Sequence, residues 1–192
     1  MIKAIVFDCF GVLYVHHGPE YIKNHTPHYD RIKGQLKDLG NQADYGLISQ
    51  ADYEQQVSEL TGISVGLVNR HTLRGFGRNN ELMDYIESQL RPEYKIGLLS
   101  NISRGTMEKF FTKKEREQLF DATMLSSETG MIKPSPSAFV YICELLGVAT
   151  NEAIMVDDNV ENCQGASFAG MQVIVYDGLA HLKTSLQKLL DK

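Results

Sequence analysis

The sequence AIVFDCFG, residues 4–11, decides the fold. Four apolar residues, Ala4–Phe7, are followed by an acid at Asp8 and by Gly11, a pattern typical of a buried parallel strand that ends in a polar loop. Similar runs recur at 95–99 (KIGLL), 153–156 (AIMV) and 172–176 (QVIVY), with a weaker one at 122–125. These runs predict a parallel sheet with the Asp8 strand at its centre.

Helical patterns separate the predicted strands. They cover residues 80–90, 136–146, 159–169 and 181–190, and in the second of them Ser135 can cap a helix that has Pro136 in its first turn. Alternating strands and helices indicate a sheet with helices on both faces. We therefore expect an α/β fold, a three-layer Rossmann-like core with a parallel sheet.

Residues 15–76 break this alternation. They contain one clear helical pattern, 49–60, and no strong strand. The segment follows the carboxyl end of the first strand, where ligands bind in open α/β sheets. We predict a small helical cap at 15–76 above a core made of residues 1–14 and 77–192.

Composition narrows the class of protein. The chain has 192 residues, of which 43% are hydrophobic and 22% are charged, and its net charge is −5. An acidic chain is a poor partner for nucleic acid or for an anionic membrane surface. Three cysteines in no metal-binding spacing, with no long apolar run, favour reduced thiols in a cytoplasmic protein. The oligomeric state stays open between monomer and homodimer.

Polar residues stand at the ends of the predicted strands or in the loops beside them: Asp8, Ser100–Asn101, Lys133 and Asp157–Asp158. In a parallel sheet these positions converge on one edge. Two acid sites, a hydroxyl and a lysine suit phosphoryl transfer through an aspartyl intermediate, in which one carboxylate attacks and others hold Mg²⁺.

Most of these residues have a simpler explanation when taken alone. Asp8 could be a turn residue, Ser100 and Asn101 could cap a helix beginning near Arg104, and Lys133 could be an exposed loop lysine. The Asp157–Asp158 pair favours a cation more strongly, because adjacent carboxylates repel each other.

The order of the four motifs resembles that of the haloacid dehalogenase-like superfamily. The motifs read IVFDCFGVLY (5–14), GLLSNIS (97–103), GMIKPSPSAF (130–139) and IMVDDNVENCQGASFAGM (154–171). The resemblance implies a Mg²⁺-dependent phosphohydrolase that acts on a small phosphorylated metabolite, such as a sugar phosphate. Asp8 would then be the nucleophile and a metal ligand, together with the carbonyl of Phe10.

The same resemblance assigns the remaining roles. Ser100 and the backbone N–H of Asn101 would bind the phosphoryl group, and Lys133 would neutralise charge between Asp8 and the phosphate. Asp157 would ligate Mg²⁺, and Asp158 would ligate it directly or through another ligand.

Phe10 departs from the family pattern, since most phosphatases of the superfamily have an aspartate there as general acid and base. Three interpretations follow: a substrate with a good leaving group, a proton from a cap histidine or a substrate hydroxyl, or a different reaction. The main rival reaction is 2-haloacid dehalogenation, which needs no metal and does not call for the Asp157–Asp158 pair. A non-catalytic protein that binds a phosphorylated ligand or a partner is the third hypothesis.

Overall fold

A computed structural model describes residues 1–16 and 21–190. Residues 17–20 of the predicted cap and 191–192 of the predicted core lie outside the described residues. The strands are β1 (Ala4–Phe7), β2 (Tyr14–His16), β3 (Phe76–Arg78), β4 (Lys95–Ser100), β5 (Ala122–Leu125), β6 (Ala153–Asp157) and β7 (Gln172–Val175).

The helices are α1 (Tyr21–Asn24), α2 (Tyr29–Asp44), α3 (Gln50–Thr61), α4 (Val65–Thr72), α5 (Asn80–Tyr85), α6 (Lys113–Leu119), α7 (Ser126–Thr129), α8 (Pro136–Leu146), α9 (Val160–Phe168) and α10 (Leu179–Leu190). A π-helical turn, Ile86–Leu90, extends α5, and short 3-10 turns cover Met107–Lys109 and Thr150–Glu152.

Five strands form one parallel sheet in the order β5-β4-β1-β6-β7. The central strand, β1, is fully buried, since all four of its residues have no exposed surface. A strand with neighbours on both edges and helices on both faces must be apolar throughout, as the AIVF sequence is. The predicted α/β fold and the central place of the Asp8 strand are confirmed.

The side chains of β1 alternate between two hydrophobic clusters. Ile5 and Phe7 pack with α5 and α10 on one face of the sheet, whereas Ala4 and Val6 pack with α8 and α9 on the other. Successive strand residues point to opposite faces, so one short strand supplies both cores. The result is the three-layer arrangement.

The helices α1–α4, which we call the helical insertion, stand between β2 and β3. They have a hydrophobic cluster of their own, centred on Leu39, Val57, Ile63 and Val68. The strands β2 and β3 pair in antiparallel fashion at the base of the insertion. The boundaries at 14–15 and 76–77 stay a prediction, and these two strands lie across them.

The prediction of one clear helix and no strong strand in this segment was incomplete, because the structure also has α1, α2, α4 and the two short strands β2 and β3. Helix α2 is 16 residues long, but just two of its residues, Leu39 and Ala43, are buried. The sequence of α2 is polar overall, and a polar segment with few apolar residues is typical of a loop as well as of an exposed helix. The strands β2 and β3 have three residues each, which is too short to show alternation.

Two details concern the loop that follows Lys133. A Cβ atom on Gly165 of α9 would lie 2.2 Å from the carbonyl oxygen of Pro134, so the helix packs against the loop after Lys133 only because this residue is glycine. Ser135 precedes α8, but its Oγ pairs with Ser137 Oγ at 2.9 Å and makes no capping bond.

Across residues 1–16 and 21–190, no helix has the length and apolar character needed to cross a membrane.

Candidate active site

The candidate active site lies at the carboxyl ends of three neighbouring strands. Asp8 follows β1, Ser100 ends β4 and Asp157 ends β6, and β1 lies between the other two. The backbone N–H of Asp8 still donates to Val156 O at 2.9 Å, which holds the end of β1 against β6. Parallel register therefore brings together residues that are far apart in the sequence.

Lys133 joins the two acids. Its Nζ lies 2.7 Å from Asp8 Oδ1 and 2.7 Å from Asp157 Oδ2, and only 1% of its side chain is exposed. Burial disfavours the charged amine, but the two carboxylates outweigh burial and raise the pKa of Lys133 above its ordinary value. Lys133 is therefore a buried cation between two carboxylates and not an exposed loop lysine.

Asp157 is held by neighbours on the other side. The N–H of Asn159 donates to its Oδ1 at 2.9 Å, and Asn162 Nδ2 lies 3.1 Å from both of its carboxylate oxygens. Asn162 was not predicted from the sequence. Its spacing of five residues after Asp157, inside α9, was the available signal.

Asp8 has a strongly raised pKa. Burial raises the pKa of Asp8 to about 7; Lys133 acts in the opposite direction and Asp157 adds to the rise. The N–H of Cys9 donates to Asp8 Oδ1 at 2.6 Å. The carboxyl group therefore faces a strong electrostatic penalty for ionising without a further cation.

A third acid completes the cluster. One carboxylate oxygen from each of Asp8, Asp157 and Asp158 lies within 4.8 Å of the others. Burial and the charge of Asp157 raise the pKa of Asp158. Gly11 leaves the space for this carboxylate, because a Cβ atom there would lie 2.2 Å from Asp158 Oδ2 and its φ of +91° disfavours other residues.

Asn101 contributes a contact that the sequence did not predict. Its Oδ1 accepts from the N–H of Lys133 at 2.9 Å, and its Nδ2 donates to Lys133 O at 2.9 Å. The two bonds fix the backbone that carries the lysine. Ser100 is fully buried beside it. The first helical turn after them is the 3-10 turn Met107–Lys109, which Thr106 precedes, so the capping interpretation of Ser100 and Asn101 is wrong.

The ring of Phe10 packs among other aromatic rings. The ring centroid lies 4.7 Å from that of Phe76 and 4.9 Å from that of Phe110. These contacts join the core loop after β1 to β3 and to the loop after β4. Phe10 therefore has a packing role at the position where an acid is usual.

A cavity of about 260 Å³ lies between the helical insertion and the core. Phe10 and Asn101 line it on the core side, and Asp44 and Gln50 line it from the insertion. Burial raises the pKa of Asp44 to about 6, against the opposing effect of Lys133. Asp44 was missed by the sequence analysis because the polar sequence of α2 gives no sign of which of its acids faces the core.

A family model supplies the deciding comparison. The model of the haloacid dehalogenase-like hydrolases matches residues 2–170. The chain belongs to this family. The match confirms the resemblance that the four sequence motifs indicated, and it covers four of the five strands of the sheet, the helical insertion and the acid cluster.

Members of the haloacid dehalogenase-like family with curated activities share part of the chain. The N-acylneuraminate-9-phosphatase of Homo sapiens is 35% identical over 102 residues, which are 51% of this chain and 41% of that protein. The pyrophosphatase PpaX of Bacillus cereus (strain AH820) is 30% identical over 77 residues, 40% of this chain and 36% of that protein. The chain thus spans about two fifths of the length of these relatives.

A solved structure matches over nearly the whole chain. The family enzyme from Bacteroides thetaiotaomicron, in complex with magnesium and inorganic phosphate, is 25% identical, with a TM-score of 0.76. The match covers 95% of this chain and 99% of that one. The haloacid dehalogenase-like fold therefore includes the helical insertion as well as the sheet.

Proposed function

We propose that the protein is a Mg²⁺-dependent phosphohydrolase that hydrolyses phosphomonoesters through an aspartyl phosphate on Asp8. One observation carries the proposal: a buried lysine bridges Asp8 and Asp157 at 2.7 Å, beside a third carboxylate. Three carboxylates and one lysine leave an excess of negative charge at the end of the sheet. Such a cluster calls for a further cation.

The donor set fits Mg²⁺. Carboxylate and carbonyl oxygens are the ligands that this ion prefers, and the cluster contains no sulfur or imidazole ligand. We assign Asp8, the carbonyl of Phe10, Asp157 and Asp158 as the residues that would hold it. When bound, the ion would neutralise the charge of the phosphate oxygens. The magnesium and phosphate complex of the Bacteroides relative supports this assignment.

The chain's own residues would then act as follows. An oxygen of Asp8 attacks phosphorus, and Lys133 balances the charge between the carboxylate and the phosphoryl group. Ser100 and the N–H of Asn101 would donate hydrogen bonds to the phosphoryl oxygens. Water then cleaves the aspartyl phosphate and restores Asp8. Asn101 keeps the lysine in place through its two bonds to the Lys133 backbone.

The size and the lining of the cavity favour a substrate with a small, uncharged leaving group. At about 260 Å³ it is close to the lower end of the usual range of roughly 300–1,000 Å³ for ligand pockets. Asp44 is the one charged side chain among the described residues that line it, so a second phosphate or a carboxylate finds no cation there. Several lining residues can bond hydroxyl groups: Gln50, Tyr53, Thr72, Asn101, Ser103 and Thr106.

A sugar phosphate or a similar polyol phosphate is therefore the proposed substrate class. The phosphatase and pyrophosphatase names of the two curated relatives agree with the reaction class. The same lining argues against pyrophosphate and carboxylated sugars as substrates of this chain. The cytoplasmic location and the oligomeric state stay predictions.

The test is a phosphate-release screen in Mg²⁺ over sugar phosphates, nucleotides, pyrophosphate and acyl phosphates. We expect release from neutral polyol phosphates and none from an Asp8→Asn variant. Trapping with BeF₃⁻ and Mg²⁺ gives a second measurement that does not depend on knowing the substrate. Chloride release from 2-haloacids without phosphate release would contradict the proposal and favour a dehalogenase.

A further inference from the structure

Asp44 is an acid of the helical insertion that lines the cavity between the insertion and the core. It is the last residue of α2 and lines the cavity opposite Phe10 and Asn101. Phe10 and Asn101 of its lining are close in the chain to Asp8 and Ser100, so we expect the leaving group of a phosphoryl group on Asp8 to enter this cavity. Among the described residues that line the cavity, no other side chain is an acid and none is a histidine.

Asp44 is held at the cavity by contacts between the insertion and the core. The carbonyl oxygen of Asp44 accepts from Ser126 Oγ at 2.5 Å, just after β5. A second tie joins Ser103 Oγ to Gln50 Oε1 at 2.6 Å, at the start of α3. These bonds fix the two ends of the loop between α2 and α3, so the position of Asp44 is set by the core.

The described histidines lie outside this cavity, and three of them have partners elsewhere. His16 Nε2 pairs with the carbonyl of His71 at 2.6 Å, and Tyr21 stacks on both His25 and His71. None of them lines the cavity. The interpretation that a cap histidine supplies the proton therefore finds no support among the described residues.

We propose that Asp44, a residue of the helical insertion, is the general acid and base that replaces the acid absent at Phe10. The inference rests on the proposed phosphohydrolase function and names the proton carrier of that same site.

The steps balance as follows. Asp8 forms a bond to phosphorus, the bond from phosphorus to the leaving oxygen breaks, and the electron pair stays on that oxygen. Protonated Asp44 gives its proton to the oxygen and becomes a carboxylate. A water then attacks the aspartyl phosphate, loses its proton to Asp44, and the electron pair of the broken bond returns to Asp8. The sum is phosphomonoester plus water to alcohol plus phosphate.

The electrostatics of the cavity agree with both roles. Burial raises the pKa of Asp44 to about 6, close to the range in which a carboxyl can both give and take a proton. The charge of Lys133 lowers this pKa, so Asp44 lies within electrostatic reach of the lysine that bridges Asp8 and Asp157. Tyr53 faces it from α3, and burial together with the charge of Asp44 raises the pKa of that phenol.

The experiment compares leaving groups. Asp44→Asn keeps the shape of the side chain but cannot give a proton, and Asp38→Asn makes the same change on an exposed face of α2. Stopped-flow measurement with phenyl phosphate and 2,4-dinitrophenyl phosphate reports the first turnover and the steady state separately. Thermal unfolding of both variants establishes that each is folded.

The expected result is selective. For phenyl phosphate, Asp44→Asn should slow the first turnover by on the order of 10²–10⁴-fold. The leaving group of the dinitrophenyl ester needs no proton, so the rate of its first turnover should be unchanged and should appear as a burst. The steady-state rate should still fall, because Asp44 is no longer present to take the proton from water. The Asp38→Asn variant should match the wild type with both compounds.

Equal slowing of the first turnover with both leaving groups, or no slowing with either, would overturn the role of Asp44. In that case the wild type still hydrolyses phosphate esters and the proposed function stands. If the wild type releases phosphate from no compound, the proposed function fails, and the role of Asp44 fails with it.

Discussion

Acidification should weaken Mg²⁺ binding in a defined way, because the ion and a proton compete for Asp8. In the metal-free protein the pKa of Asp8 is raised from 3.8 to about 7, mainly by burial. Bound Mg²⁺ needs the ionised carboxylate, so binding below this pKa must release a proton. Each pH unit below about 7 should therefore raise the Kd roughly tenfold, or about 1.4 kcal/mol.

The same shift fixes the sign of the effect on stability. The folded, metal-free protein keeps the Asp8 proton up to about pH 7, whereas the unfolded chain loses it near 3.8. The folded state thus binds more protons in this window, and its free energy of unfolding falls as the pH rises. Mg²⁺ opposes this loss, so the stabilisation that it gives should grow from about pH 6 to about pH 8.

Calorimetric titration with Mg²⁺ in two buffers of different ionisation enthalpy measures the proton directly. We expect about one proton released per ion near pH 6 and close to none near pH 8. An Asp8→Asn variant should bind more weakly and should lose most of the pH dependence. A Kd that is the same at both pH values would refute the assignment of Asp8 as a buried ligand with a raised pKa.

Three further changes test other parts of the site. Gly11→Ala should force the Asp158 carboxylate to move and cost about 1–3 kcal/mol of backbone strain, so calorimetry should find weaker Mg²⁺ binding and a lower melting temperature. Lys133→Met leaves two buried carboxylates without their cation; we expect a loss of about 3–5 kcal/mol in denaturant unfolding without Mg²⁺ and a smaller loss with it. Ser103→Ala removes the bond to Gln50 that helps to hold Asp44, which should cost about 1 kcal/mol and lower kcat for a polyol phosphate, as steady-state kinetics would detect.

The sheet was predictable because its signal is local. The apolar run Ala4–Phe7 is buried on both faces, so its composition alone identifies a central strand. The weaker run at 122–125 also proved to be a strand, at the edge of the sheet. Asp8 could be singled out only together with the other three motifs, because an acid at the end of a strand is, taken alone, equally well explained as a turn residue.

The contacts made by the insertion were not predictable in the same way. Asp44 has acidic neighbours in sequence, such as Asp30 and Asp38, and only the docking of α2 on the core distinguishes it from them. The same holds for Asn101, whose two bonds depend on a loop 32 residues further along the chain. Local patterns carry no information about which polar residue meets a distant partner.

The close approach of Gly165 to Pro134 has a consequence for mutational scanning. Any larger residue at 165 would push α9, the helix that follows the acid pair, away from Pro134 in the loop that carries Lys133. Such a variant would separate the groups of opposite charge without altering any atom of the site. In a library sorted for folded but inactive proteins, position 165 should therefore appear alongside the acids themselves, although its own side chain is a hydrogen atom.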